Sequence, residues 1–337
     1  MLLESEVDES SIVAEEANGK REIPHTIIPR PTQLKQERII FGASTIVPFL
    51  GLILAIALTW YSGASIVDWG LFLGMSIISV LGIEVGFHRL FSHGAFQTTK
   101  PVRAILAIAG CMALQGPVTY WASNHRRHHA HSDRPLDPHS PYVKNNESLG
   151  LLAGLWHSHI GWIFDSERTC PGRYGRDLLK DAMLAKIDRH YFIWVLLGLA
   201  IPAILGGLLT WTWMGIFHGV VWGGLLRIFS VQQGTYAVNS FCHVIGTRPF
   251  QSRDNSCNNL WLTLPTLGSS LHNTHHAFPN TAVNALFWWQ IDPGAWFIRA
   301  LEFLGLAWDI KVPSAEAILL RRRLSPNAAK NTTPNKF

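Results

Sequence analysis

The chain has 337 residues, of which 48% are hydrophobic, only 15% are charged and 14 are Trp. Soluble domains carry about a quarter charged residues, so this composition excludes an ordinary soluble globule and points to a membrane protein with Trp at its interfaces. The net charge of +5 is no sign of nucleic-acid binding, because no RNA- or DNA-binding motif accompanies it.

In chain order, residues 1–38 are polar and acidic and read as a flexible cytosolic N-terminus. They lack a basic segment followed by an apolar one, so no cleavable signal is expected. A bilayer-spanning helix takes about 20 apolar residues. Four runs qualify: 39–60, 66–87, 192–211 and 215–236. The stretch Arg103 to Val118 is apolar but short and interrupted by Gly and Pro, and reads as a re-entrant or interfacial helix. Residues 321–337 read as a flexible tail.

Lys and Arg orient the spans. Residues 1–38 hold five, 88–190 hold 13 and those after 236 hold nine, while the turns 61–65 and 212–214 hold none. The positive-inside rule places both termini and the middle loop in the cytoplasm. Cys111, Cys170, Cys242 and Cys257 show no CxxC spacing, which fits a reducing compartment without disulfides.

There are 16 histidines. HRLFSH (88–93) follows the second run, HRRHH (125–129) the short apolar helix, and HNTHH (272–276) a later amphipathic stretch. His243 follows the fourth run. At i, i+3 and i+4 the imidazoles share one helix face, and neutral imidazole binds Fe, Zn and Cu. A lone histidine is usually structural, and His25, His131, His139, His157, His159, His190 and His218 are read so. The other nine fall in clusters on one side of the membrane. Without Cys they are no zinc finger. Nine are too many for one ion, so two ions with open positions fit better. Spacing does not separate iron from zinc or copper.

These motifs resemble the three histidine boxes of the integral-membrane fatty acyl desaturases. The likeness is greatest to the Δ9-type branch with stearoyl-CoA desaturase and the bacterial and cyanobacterial acyl desaturases. SDRPLDPHSP (132–141), HSHIGW (157–162), NSFCH (239–243) and HHAFP (275–279) add to it, and it covers roughly 40–310. The resemblance implies an all-α integral-membrane fold, a desaturase domain over 39–320. Four transmembrane helices would carry a cytosolic helical cap holding a non-haem di-iron centre.

It further implies an enzyme that uses O2 to introduce a cis, Δ9-like double bond into an acyl chain. The iron ligands would be His88, His93, His125, His128, His129, His243, His272, His275 and His276, with Asn239 acting through water. Gln115, Trp121 and Thr235 match positions lining the bend of the acyl tunnel. No HPGG segment or flavin motif is present, so a separate donor such as ferredoxin or cytochrome b5 is implied.

The sequence departs from the family at the carrier end. CoA enzymes show Arg-Asp before the second box, where Ser123 and Asn124 stand here, and residues 144–156 are mostly uncharged. Phosphate recognition wants Arg or Lys. A lipid- or acyl-carrier-protein-linked chain is therefore expected at least as readily as a CoA-linked one. Glu84, four residues before His88, reads as an acceptor for the His88 N–H that fixes its tautomer, or as an ion-pair partner of Arg89 or Arg227. Competing readings are an acetylenase, hydroxylase or ketolase on the same scaffold, and a His-rich metal transporter. Transporters place ligands near the bilayer midplane, whereas these clusters lie beyond the span ends.

Overall fold

The computed structural model describes residues 22–322. Four of its helices are long and apolar enough to cross a membrane: Pro31–Ser62, Ile66–Ser92, Tyr191–Thr210 and Trp213–His243. Strands form only three two-residue pairs among the described residues, so the chain is all-α as expected. Trp60, Trp211 and Trp213 are at least 87% exposed and mark the two tight turns that join the spans. That is where amphipathic Trp settles at a bilayer surface.

The first span begins eight residues before its apolar run. Pro31 opens it, as suits a first-turn position. Glu37 anchors the polar lead by accepting from Arg168 at 2.8 Å. Before it, Thr26–Ile27 pairs antiparallel with Arg168–Thr169. Residues 22–38 are thus structured, contrary to the expected flexible lead. The rest of the expected flexible termini, 1–21 and 323–337, lies outside the described residues.

The second span starts with a reciprocal cap. Ser65 Oγ accepts from the Asp68 backbone N–H, and Asp68 Oδ2 accepts from that of Ser65 at 2.8 Å. Asp68 also lies 3.1 Å from His218 Nδ1, tying the two helical hairpins together. This span does not end at Phe87. It continues as a π-helix, Gly82–Ser92, in which every residue is buried. The wider i→i+5 turn occurs mostly at functional sites, and here it carries His88, with His93 as its C-cap.

The expected re-entrant helix over 103–118 is two elements. Helix Lys100–Cys111 packs on the π-helix so closely that a Cβ on Gly82 would lie 2.1 Å from Gly110 N. The chain then breaks where Leu114 and Gly116 take positive φ. Helix Val118–His131 restarts after Pro117 and carries the second box.

Spans 3 and 4 meet along a glycine seam. Gly215, Gly219 and Gly223 recur every four residues against Pro202 and Gly206. A Cβ on Gly219 would lie 2.0 Å from Pro202 O. Small residues at this spacing let membrane helices approach closely. Span 4 also contains a π-helical segment, Val220–Leu226, before ending in a 3₁₀ turn at Phe241–His243. Just past that segment the buried Arg227 donates to the Gly223, Met112 and Gly198 carbonyls and to Ser79 Oγ. It thereby ties spans 2, 3 and 4 to the helix Lys100–Cys111.

Replacing Gly219 by Leu should push spans 3 and 4 apart. The detergent-extracted protein is expected to lose its monodisperse elution peak and melt several degrees lower. Gly74→Ala, where a Cβ meets nothing within 4 Å, should change neither; equal behaviour of the two variants would refute the seam.

Candidate metal centre

The nine clustered histidines converge at the end of the bundle where spans 2 and 4 finish. They form two groups. His88, His93, His125, His129 and His275 make one, and His128, His243, His272 and His276 the other. In each group the candidate ligand atoms all lie within 4.8 Å of one another. HRRHH divides between the groups: His125 and His129 face one way and His128 the other. HNTHH divides likewise, with His275 in the five-membered group.

The contacts are between Nε2 atoms. In the larger group His88 and His275 are 2.9 Å apart, His93 and His125 2.8 Å, and His129 and His275 2.8 Å. In the smaller group His243 and His272 are 3.0 Å apart, and His128 and His276 3.3 Å. Two nitrogens each about 2.1 Å from one ion, at right angles, are about 3 Å apart, taking zinc–imidazole lengths as a guide.

The opposite ring nitrogens show where the protons sit. Glu84 Oε2 lies 2.8 Å from His88 Nδ1, Asp137 Oδ1 3.0 Å from His128 Nδ1, and Asp254 Oδ2 2.5 Å from His276 Nδ1. Asp133 Oδ1 lies 3.1 Å from His243 Nδ1. A neutral imidazole carries one proton, and a carboxylate fixes it on Nδ1. His128 and His276 therefore face each other with two bare Nε2 lone pairs. Such a pair repels unless a cation lies between them. The donor set fits metal ions in both groups.

The acidities of six of the nine agree with rings kept neutral. Burial holds His93, His125, His129, His272 and His275 well below their ordinary value near 6.5. Burial also lowers His276 to about 4, although Asp254 opposes it. Against the effect of burial, His128 holds Asp137, and His276 holds Asp254, below the usual carboxylate range. Metal ligation needs neutral imidazole.

Glu84 joins both partners considered for it besides Arg227. Its Oε2 faces His88, and its Oε1 accepts from Arg89 Nε and Nη2 at 3.0 and 2.9 Å. Arg89 in turn donates to Asp292 Oδ1 at 2.8 Å. Asp133, Asp137 and Asp254 were not singled out from the sequence. The first two lie in SDRPLD just after the second box, which was the available signal. His139 is buried with its ring 4.3 Å from that of His128, on the Asp137 side. It belongs to the layer behind the ligands. His159 bonds Ser240 and Gln233, a structural role.

A cavity of about 600 Å³ reaches His125 and Asn239. Gln115, Trp121 and Thr235 line it and form one hydrogen-bonded chain. Trp121 Nε1 donates to Gln115 Oε1 at 3.2 Å, and Gln115 Nε2 donates to Thr235 Oγ1 at 3.0 Å. Ser123 and Asn124 line it too, and both are buried. The ordered N-terminal strap, from Pro24 to Glu37, contributes to its lining together with Arg168–Thr169.

The fatty acid desaturase family model matches residues 64–304. The hex-5-enoyl-[acyl-carrier protein] acetylenase of Moorena producens (strain JHB) is 48% identical over 278 residues, 81% of this chain and 86% of that protein. The acyl-CoA C20 Delta5-desaturase of Anemone leveillei is 38% identical over 250 residues, 73% of this chain and 74% of that protein. The sn-2 palmitoyl-lipid 9-desaturase of Nostoc sp. (strain 36) is 35% identical over 269 residues, 77% of this chain and 87% of that protein.

His275 touches two other ligands, so His275→Ala should at least halve the metal content of the purified protein with its helical circular dichroism unchanged. Full metal content would remove His275 from the centre. The buried histidines also set a pH dependence. For His93, His125, His129, His272, His275 and His276 the folded pKa lies below the unfolded value of about 6.5, so unfolding takes up protons on them below that pH. The metal-free protein is expected to lose thermal stability as pH falls from about 6.5 towards 4, read as Tm; a Tm flat over that window would contradict neutral burial.

Proposed function

The chain belongs to the fatty acid desaturase family, and from that membership we propose that it is an O2-dependent acyl-chain desaturase working at a di-iron centre. It is an oxidoreductase of the desaturase–acetylenase kind. The observation that carries the proposal is the gathering of nine histidine Nε2 atoms into two groups beside an acyl-sized cavity. The nine histidines would hold two iron ions, and Asn239, whose side chain lines the cavity beside His125, would act through water.

When bound, the iron pair and O2 supply the oxidising power to take two hydrogens from unactivated methylenes, with two electrons from a separate donor completing the reduction to water. The protein supplies position. The cavity excludes water from the acyl chain. The hydrogen-bonded Gln115–Trp121–Thr235 chain gives the cavity a fixed wall near His125, and so would select which carbons lie against it. Glu84, Asp133, Asp137 and Asp254 hold the imidazoles in the ligating tautomer. The excess of Lys and Arg at the termini and middle loop argues that this end of the bundle is cytosolic. There a soluble donor such as ferredoxin or cytochrome b5 would reach it.

Two details sharpen the substrate. Where CoA enzymes carry Arg-Asp, Ser123 is buried and Asn124 is held by Thr169 Oγ1 at 2.6 Å, so these positions offer no charge to CoA phosphates. We therefore favour an acyl chain on a carrier protein or a glycerolipid. The desaturases compared bear names for carbons 5 and 9, so the relatives do not single out the Δ9 position expected above. Acetylenation is the second reading, favoured by the 48% identity to an acetylenase over 86% of its length.

Expression in a bacterium lacking desaturases, with mass spectrometry of its acyl chains, tests the reading. The expected product has lost two hydrogens, with one double bond, or a triple bond if fed an enoyl chain. A product that gained oxygen without losing hydrogens would overturn it. His128→Ala should abolish product while the protein still reaches the membrane.

A further inference from the structure

We propose that the two histidine groups are unequal, and that the four-membered group of His128, His243, His272 and His276 takes its ion first and gives it up last. This rests on reading both groups as metal positions. It goes beyond that reading by ranking them.

The ranking comes from what stands behind the rings. In the four-membered group three histidines have a carboxylate at Nδ1: Asp137 behind His128, Asp133 behind His243 and Asp254 behind His276. In the five-membered group, among the described residues, only His88 has one, Glu84. Among the described residues the buried Nδ1 of His275 has neither a hydrogen-bond partner nor a carboxylate beside it. In the smaller group His272 Nδ1 also has no hydrogen-bond partner among them, and His243 Nδ1 meets Asp133 as an ion pair at 3.1 Å without hydrogen-bond geometry. A carboxylate behind a ligating histidine raises its basicity, and losing such an outer partner typically costs 10–100-fold in metal affinity.

Net charge widens the difference. Glu84 shares the single charge of Arg89 with Asp292, at 2.9 and 2.8 Å, so this buried trio carries one net negative charge. Among the described residues the ion pairs of Asp133, Asp137 and Asp254 are with histidines alone. Their other contacts include neutral donors. Asp133 accepts from the Asn255 N–H, Asp137 from the Asp133 and His139 N–H groups, and Asp254 from the Ser256 N–H and hydroxyl. These fix the oxygens without removing their charge. Three negative charges thus stand one ring away from one ion, against a net single negative charge at the other. The fifth imidazole of the larger group adds a ligand but no charge.

Access points the same way. His93, His125 and His129 of the larger group are half-buried, and His125 lines the acyl cavity. In the smaller group only His276 is half-buried. The ion beside the acyl chain is the exchangeable one. The ion behind it, on the carboxylate side, is the anchor.

The test uses the full-length protein loaded with iron-57. Mössbauer spectra before and during treatment with a ferrous chelator should show two components of equal area. One should vanish first, and iron release should have two phases differing at least about tenfold in rate. Asp254→Asn should speed the slow phase by about 10–100-fold and leave the fast one, while Glu84→Gln should alter only the fast one. If Asp254→Asn does not fold, the wild-type release curve still decides. One release rate, with both components shrinking together, overturns the ranking. A protein that binds no iron at all overturns the metal reading beneath it.

Discussion

Two imidazoles whose protons are fixed on their far sides cannot stably point bare nitrogens at each other in a dry interior. His128 and His276 are held in that arrangement, and seven further histidines crowd beside them. Burying polar atoms without partners is costly, and packing bare lone pairs together costs more. The rest of the protein is organised around this constraint. It must assemble the rings, keep them neutral and keep water from the centre.

The bundle meets the constraint by stiffness. The glycine seam of Gly215, Gly219 and Gly223 lets spans 3 and 4 touch backbone to backbone. Arg227 ties spans 2, 3 and 4 to the helix Lys100–Cys111 from inside. The π-helix Gly82–Ser92 rotates the end of span 2 so that His88 and Arg89 are both buried, the ring towards the centre and the guanidinium between Glu84 and Asp292. Around it, Asp133, Asp137 and Asp254 from loops join Glu84 of span 2 behind the rings. Scaffold rigidity thus comes from membrane helices, while three of the four carboxylates behind the rings come from the layer above them.

Much of this was legible in the sequence because it is local. Apolar runs gave four spans, and i, i+3, i+4 spacing gave the histidine clusters. The nine candidate ligands fall into just two groups in space. Other features left no local trace. An i→i+5 turn has no residue signature, so the extension of span 2 through His88 was missed. The break at Leu114 depends on a non-glycine residue at φ 56°, which no composition rule flags. Asp254 meets His276 from 22 residues away, so its role appears only after folding. The strap at 22–38 looked flexible because it is polar. It is ordered by pairing with Arg168–Thr169, more than 130 residues along the chain. Glu84 was visibly odd, but its two partners, His88 and Arg89, were not separable by sequence.

The central claim is that two ions share a shell made of imidazoles, with every carboxylate held one ring away. Iron K-edge X-ray absorption on the purified, iron-loaded protein measures that shell directly. The account predicts a first shell of nitrogen and light oxygen donors near 2.1 Å, taking ordinary metal–imidazole lengths. It also predicts strong outer-shell imidazole scattering equivalent to about four or five rings per iron, and no sulfur. A shell dominated by carboxylate oxygen, or with a sulfur donor from Cys242 or Cys257, would contradict it.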